Sequence, residues 1–267
     1  AGCGNDDESV IGDFVEAAIR RVPRCEEVEL RKLRLSAAER WQRAFVDRGW
    51  KVDVSHLYWN WYAEVGGISG AKYIAGRPGR LRSTLRRKRK RAADLHSVRF
   101  AVCRSSEGLV SALSDYEQVY ARSWKIPESS PSFIPALAKL CGDLGILRLG
   151  LLYLDEQPVA AQFWIIDGNT AVIYKLAHDP RCDALSVGSL LTEYLCCRAI
   201  DEDRVTEIDF GIGDEQYKRD WMTDCRQLVS VHAVDPWTPR GLLLSFRMAI
   251  RDMLRQSGLR SHTSVNF

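Results

Sequence analysis

The chain has 267 residues, of which 46% are hydrophobic and 27% charged, an ordinary globular composition. Its length suits one large domain or two of ordinary size, and its formal net charge of +3 singles out no partner. The charge is uneven, however: between Arg77 and Arg91 there are nine arginines or lysines and no acid.

In chain order, apolar residues at Ile11, Phe14, Val15, Ala18 and Ile19 predict a helix over 10–21, closed by Pro23. Residues 27–35 alternate well enough for a strand. Ser36 is the expected N-cap of a helix over 37–48, ended by Gly49. A strand over 50–55 follows, in a region dense with Trp41, Trp50, Trp59, Trp61 and Tyr62. Residues 77–95 read as a long basic helix with Pro78 at its start and a thin apolar stripe of Leu81, Leu85 and Ala92. The remainder is clearer. A strand over 98–103 leads to helices over 106–122 and 131–144. Three strands over 146–154, 159–166 and 170–176 follow, joined by Asp155-Glu156-Gln157-Pro158 and Asp167-Gly168-Asn169, which are hairpin signals. A helix over 187–200, a strand over 205–210, a short helix over 214–221, a strand over 228–234 and a helix over 240–256 complete the order. The expected domain organisation is a partial N-terminal unit over 1–76, a basic linker helix over 77–95, a main domain over 96–256 and a loose polar tail over 257–267.

The eight cysteines are scattered and form no CxxC pair, so neither a disulfide scaffold nor a zinc site is expected. They read as reduced thiols of a cytoplasmic protein. No run approaches the ~20 apolar residues of a membrane span. The acidic start, Ala1 to Glu8, lacks the basic region of a secretory signal.

From residue 98 the order is β–α–α–β–β–β–α–β–α–β, an α/β (mixed α+β) arrangement in which an antiparallel meander leads through a helix into a parallel strand. Six strings accompany it: LRSTLRRKRKR (81–91), SWKIPE (123–128), PVAAQFWI (158–165), YKLAHD (174–179), LSVGSLL (185–191) and DFGIGDEQYKRDW (209–221). Order and strings over residues 75–235 resemble the Gcn5-related N-acetyltransferases (GNAT), in particular the CelD-like group of cellulose and polysaccharide gene clusters, related to the FemABX-type peptidyltransferases with two GNAT-like units in tandem. The resemblance implies a central mixed sheet split between its fourth and fifth strands, here 170–176 and 205–210, with the acyl carrier's arm entering the split. Residues 1–76 would then be a partial first GNAT-like unit.

Asp209 ends a strand, where ligands of α/β sheets collect. A carboxylate there suits accepting the proton of an attacking amine, and the alternative is a cap of backbone amides. Gly211 and Gly213 allow a tight turn, and Asp214 is the expected N-cap of the helix carrying Tyr217, Lys218 and Trp221. Lys175 is a charge in an otherwise apolar strand and needs a partner. Asp209 across the split is the candidate, and Lys175 would hold developing oxyanion charge. The resemblance gives Tyr217 the role of protonating a leaving thiolate. His178 is a candidate general base. Trp124, Lys125 and Glu128 are candidate contacts to the acceptor, and Gln162 is either a substrate hydrogen-bond donor or a satisfied core residue. LSVGSLL falls at the family's pyrophosphate loop, with Ser186, Gly188 and Ser189 as phosphate contacts at a helix N-terminus. Leu185 and Leu190 depart from the usual pattern.

The expected function is direct acyl transfer from a thioester, acyl-CoA first, to an amine or hydroxyl of a small-molecule or saccharide acceptor, without a metal. The departures in the loop, with the basic helix 80–91, keep open an aminoacyl-tRNA-dependent, amide-forming transferase or a carrier-protein donor. A GNAT fold that only binds is the third reading.

Overall fold

A computed structural model of the chain describes residues 10–17, 25–126, 129–213 and 215–256. Glu128 and Asp214 lie outside the described residues. In chain order the elements are α1 (10–17), β1 (Glu27–Arg34), α2 (Leu35–Val46), β2 (Lys51–Glu64), α3 (Gly70–Ala75), α4 (Gly79–Leu95), β3 (Val98–Cys103), α5 (Leu109–Arg122), α6 (Phe133–Asp143), β4 (Leu147–Leu154), β5 (Gln157–Asp167) and β6 (Thr170–His178). After a 3-10 turn (Pro180–Leu185) come α7 (Val187–Asp201), β7 (Glu207–Ile212), α8 (Gln216–Trp221), β8 (Asp224–Val234) and α9 (Pro239–Gln256).

The chain divides into two compact units, one of Ala1–Trp59 with Arg226–Phe267, the other of Asn60–Cys225. In the first, β8 lies between β1 and the front part of β2, pairing β1 antiparallel from Glu27↔Val234 to Arg34↔Leu228. Its core is Val15, Ala38, Phe45 and Trp50 against Val229, Val231 and Ala233.

The second unit carries the expected α/β order. β3, β4, β5 and β6 form an antiparallel meander. β6 then pairs parallel with β7, and β7 takes the end of β2 as its other, antiparallel, neighbour. β5 is buried on both faces, with Trp164 at 1% and Phe163 at 0% exposure. Trp164 packs with the cluster under α4 and α7, and Phe163 with the cluster under α5 and α6. Truncating such a ring to alanine costs about 3–5 kcal/mol.

Three sequence expectations change. The strand expected over 50–55 runs on to Glu64, because Asn60, Tyr62, Ala63 and Glu64 pair with β7. α2 starts one residue before Ser36, and Arg34 holds the N-cap position without a side-chain hydrogen bond. α8 starts at Gln216 with Glu215 in the N-cap position that Asp214 was expected to hold. In α4, Leu81, Leu85 and Ala92 are buried as expected, while Arg80, Arg82, Arg86, Arg87, Lys90 and Arg91 are exposed.

Candidate active site

The parallel ladder between β6 and β7 is short. It runs from Thr170↔Glu207 to Val172↔Asp209 and ends there, although β6 continues to His178 and β7 to Ile212. Asp209 therefore stands where the two strands part.

Which side chains face this opening follows from register. In β7, Ile208 and Phe210 pack into the α4/α7 cluster, so Asp209 between them points to the opposite face. In β6 the pairing with β5 slips at Tyr174: Trp164 pairs Ile173, and Phe163 pairs Lys175. Directly paired residues share a face, and Phe163 lies in the α5/α6 cluster. The bulge thus turns Lys175 to the face that Asp209 occupies. A regular strand would have put Lys175 with Ile173, toward α7.

Asp209 is half-buried and held firmly. Its Oδ1 accepts from the Asn60 amide at 2.6 Å and from the Gly211 backbone N–H at 2.6 Å. Gly211 adopts φ +70°, a conformation that glycine reaches without strain and that brings its amide back onto Asp209. Lys175 Nζ lies 5.8 Å from the centre of the Tyr174 ring.

The α7 side of the opening carries the phosphate-loop residues. Ser186 is left-handed (φ 52°, ψ 44°) and precedes α7. The first amide bonded within the helix is Leu190, to the Ser186 carbonyl at 3.1 Å. The amides of Val187, Gly188 and Ser189 come before it, the anion-receiving end of a helix. A Cβ on Gly188 would stand 3.2 Å from His178 Nδ1. His178 Nε2 is 2.7 Å from Asp183 Oδ1, and its ring packs at 4.5 Å on Trp124. Leu185 and Leu190, the departures from the family pattern, are both buried core residues.

Gln162 sits beneath this loop at 1% exposure. Its amide donates to the Gly188 carbonyl at 3.1 Å and to Thr192 Oγ1 at 2.8 Å, and its carbonyl accepts from the Trp164 indole at 2.8 Å. Of its two expected roles, this geometry is that of a satisfied core residue that ties β5 to the first turns of α7.

α8 closes the neighbourhood. Lys218 is buried, bonds the Ile212 carbonyl and pairs with Glu215 at 2.9 Å. Burial opposes ionisation of Glu215, but bonds from Lys218 and from its own backbone, with the charges of Lys218 and Lys125, hold its carboxyl below the usual range. Lys125 is thus near enough to α8 for its charge to act on Glu215. Tyr217 packs at 6.4 Å against Phe210. Burial, then the Glu215 charge, pushes its hydroxyl up to about 12, so it keeps its proton at neutral pH.

Several partners in this arrangement were not singled out in the sequence. Asn60 lies five residues beyond the expected end of its strand, yet a lone amide between Trp59 and Trp61 is a usable signal. Asp183 and Glu215 carry no local mark. Asp179, inside the quoted YKLAHD string, is 2% exposed and bonds the Arg181 guanidinium at 2.6 Å.

The acetyltransferase (GNAT) domain family profile matches residues 79–219, more than half of the chain. The chain belongs to this GNAT family. Among solved structures, this GNAT chain is similar to FemX (TM-score 0.66, 11% identity, covering 89% of this chain and 79% of that one). It is also similar to a conserved protein of unknown function from Bacteroides thetaiotaomicron (TM-score 0.61, 12% identity, 85% and 75%). A third is L-PGS from Bacillus licheniformis (TM-score 0.57, 13% identity, 89% and 77%). At these identities the likeness is one of fold. No curated protein matches the sequence. Among the described residues, no helix is long and apolar enough to cross a membrane.

Proposed function

We propose that this GNAT chain transfers an acyl group from a thioester, acyl-CoA first among donors, to an amine or hydroxyl acceptor by direct attack. The observation that carries the reading is the end of the β6–β7 ladder at Val172↔Asp209, with Asp209 and Lys175 on one face and the start of α7 on the other. The residues present fit such a donor. The amides of Val187–Ser189 would receive its diphosphate, with Gly188 leaving room beside His178. When bound, the donor supplies an activated carbonyl and a thiolate leaving group.

The chain's own groups then divide the work. Asp209 takes the proton lost by the attacking amine as the new C–N bond forms. Lys175 holds the negative charge that develops on the carbonyl oxygen. As the C–S bond breaks, Tyr217 gives its proton to the sulfur. Holding acceptor and donor on opposite faces of one opening supplies much of the acceleration. Trp124 and Lys125 would border the acceptor. The resemblance to the CelD-like group suggests a saccharide or other small acceptor, and the scattered cysteines, read as reduced thiols, suggest a cytoplasmic setting.

A second reading is favoured by the place of the basic helix. Lys88 Nζ reaches the Ala184 carbonyl at 2.6 Å, and Arg89 pairs with Glu193 of α7. The exposed cations of α4 thus lie beside the start of α7, which suits a donor with many phosphates such as an aminoacyl-tRNA.

The test is thermal stability against acetyl-CoA, longer acyl-CoAs and free coenzyme A. A donor at ~100 times its dissociation constant adds about 2.7 kcal/mol, a visible rise in melting temperature. No shift with any of them removes the coenzyme A reading. Acyl transfer that survives ribonuclease removes the tRNA reading.

A further inference from the structure

α9 has one buried side, around Gly241 and Met248. Its other apolar side is exposed among the described residues. Leu242, Leu243, Phe246, Ile250, Met253 and Leu254 are between 41 and 66% exposed. At about 100° per residue these positions fall within about 120° of one another, on the side of the helix away from Met248. Trp237, in the turn that leads into α9, is 88% exposed. Arg240, Arg247 and Arg251 follow one flank of the stripe. Arg240 reaches Glu27 at 3.0 Å and Arg251 reaches Asp53 at 2.5 Å, while Arg247 is exposed between them. By sequence, α9 holds four arginines and one acid.

A contiguous apolar face of this kind marks an interaction surface. A second copy of α9 would bring the same cationic flank to the contact. An anionic bilayer surface meets both features. The apolar stripe enters the boundary of the acyl chains, the indole sits at headgroup level, and the exposed Arg247 meets phosphates. α9 has the composition of a helix that lies in an interface, since its arginines prevent it from spanning.

We propose that α9, with Trp237, docks the protein on membrane surfaces that carry anionic lipid headgroups. The full chain is sedimented with phosphatidylcholine vesicles and with vesicles that also contain phosphatidylglycerol. The expected result is association with the anionic vesicles, weakened by salt and much lower on neutral ones. Leu243→Glu with Phe246→Glu alters only exposed positions, so melting temperature and circular dichroism stay unchanged while vesicle affinity falls about tenfold or more. Trp237→Ala removes a vesicle-induced blue shift of the tryptophan emission. Absence of association with either vesicle, or equal association with both, overturns the proposal. So does a stable dimer in sedimentation equilibrium that Phe246→Glu dissolves, which would mean a second copy covers the stripe.

Discussion

Asn60 of β2 pairs with Ile212 of β7, and its side-chain amide reaches back along β7 to donate to Asp209 Oδ1 at 2.6 Å and to the Gly211 carbonyl at 3.0 Å. One buried side chain thus orients both the carboxylate at the strand opening and the turn that follows it. Asp209→Ala should lower turnover by about 10²–10⁴ if the carboxylate is the base. Asn60→Ala keeps the carboxylate and loses its orientation. It should lower kcat by about tenfold with little change in KM, and reduce stability by about 1–3 kcal/mol. Steady-state kinetics with urea unfolding checks both. An Asn60→Ala protein with full kcat would show that the orientation does not matter.

Tyr217 keeps its proton up to about pH 12. Its raised pKa means that the acid form is complete at neutral pH and is lost only as pH rises through that value. A pH–rate profile between about pH 7 and 10 should therefore show no basic limb from this residue. Tyr217→Phe should lower kcat evenly across that range, by about 10–100-fold.

Gln162 connects Trp164, Gly188 and Thr192 in a site closed to water. Gln162→Leu leaves the Trp164 indole N–H without its acceptor. Unfolding in urea should show a loss of about 1–3 kcal/mol. The donor KM should rise as well, because the start of α7 loses an anchor in β5.

A methyl group at Gly188 would come within 3.2 Å of the His178 ring and press it from its place between Trp124 and Asp183. Gly188→Ala should weaken donor binding several-fold at small cost in stability. The measurement is the melting-temperature shift with coenzyme A, which should shrink relative to the parent protein. An equal shift would show that the loop takes the methyl group without losing its ligand.

The Arg181 hydrogen bond, against the opposing effect of burial, holds the Asp179 carboxyl below its ordinary range. A depressed carboxylate contributes stability above its unfolded pKa of about 3.9 and loses it as pH falls through the lower folded value. The stability difference between the parent protein and Asp179→Asn should therefore be greatest near neutral pH and shrink below about pH 4. Urea titrations at three pH values test this.

Much of the second unit was legible in the sequence because its signals are local. Hairpin turns such as Asp167-Gly168-Asn169, the apolar runs of β4 and β5, and the amphipathic face of α5 each depend on residues within a few positions of one another. Their order was enough to anticipate the meander and the parallel crossover, while the strand opening near Asp209 was implied by the resemblance to the GNAT fold. The ends of elements were less legible. β2 runs nine residues past its expected end, because its extension rests on pairing with β7, about 150 residues away in sequence.

By itself, then, the sequence determined which segments from residue 98 to 221 are helix or strand, their α/β order, and the residue types available at the strand ends. Tertiary structure alone decided that β8 pairs with β1, that Asn60 meets Asp209, and that Lys175 turns to the face of Asp209. The first two depend on which distant strands become neighbours. The third depends on one bulge at Tyr174, and since side chains alternate with a period of two, a slip of one residue moves a charge from one face of the sheet to the other.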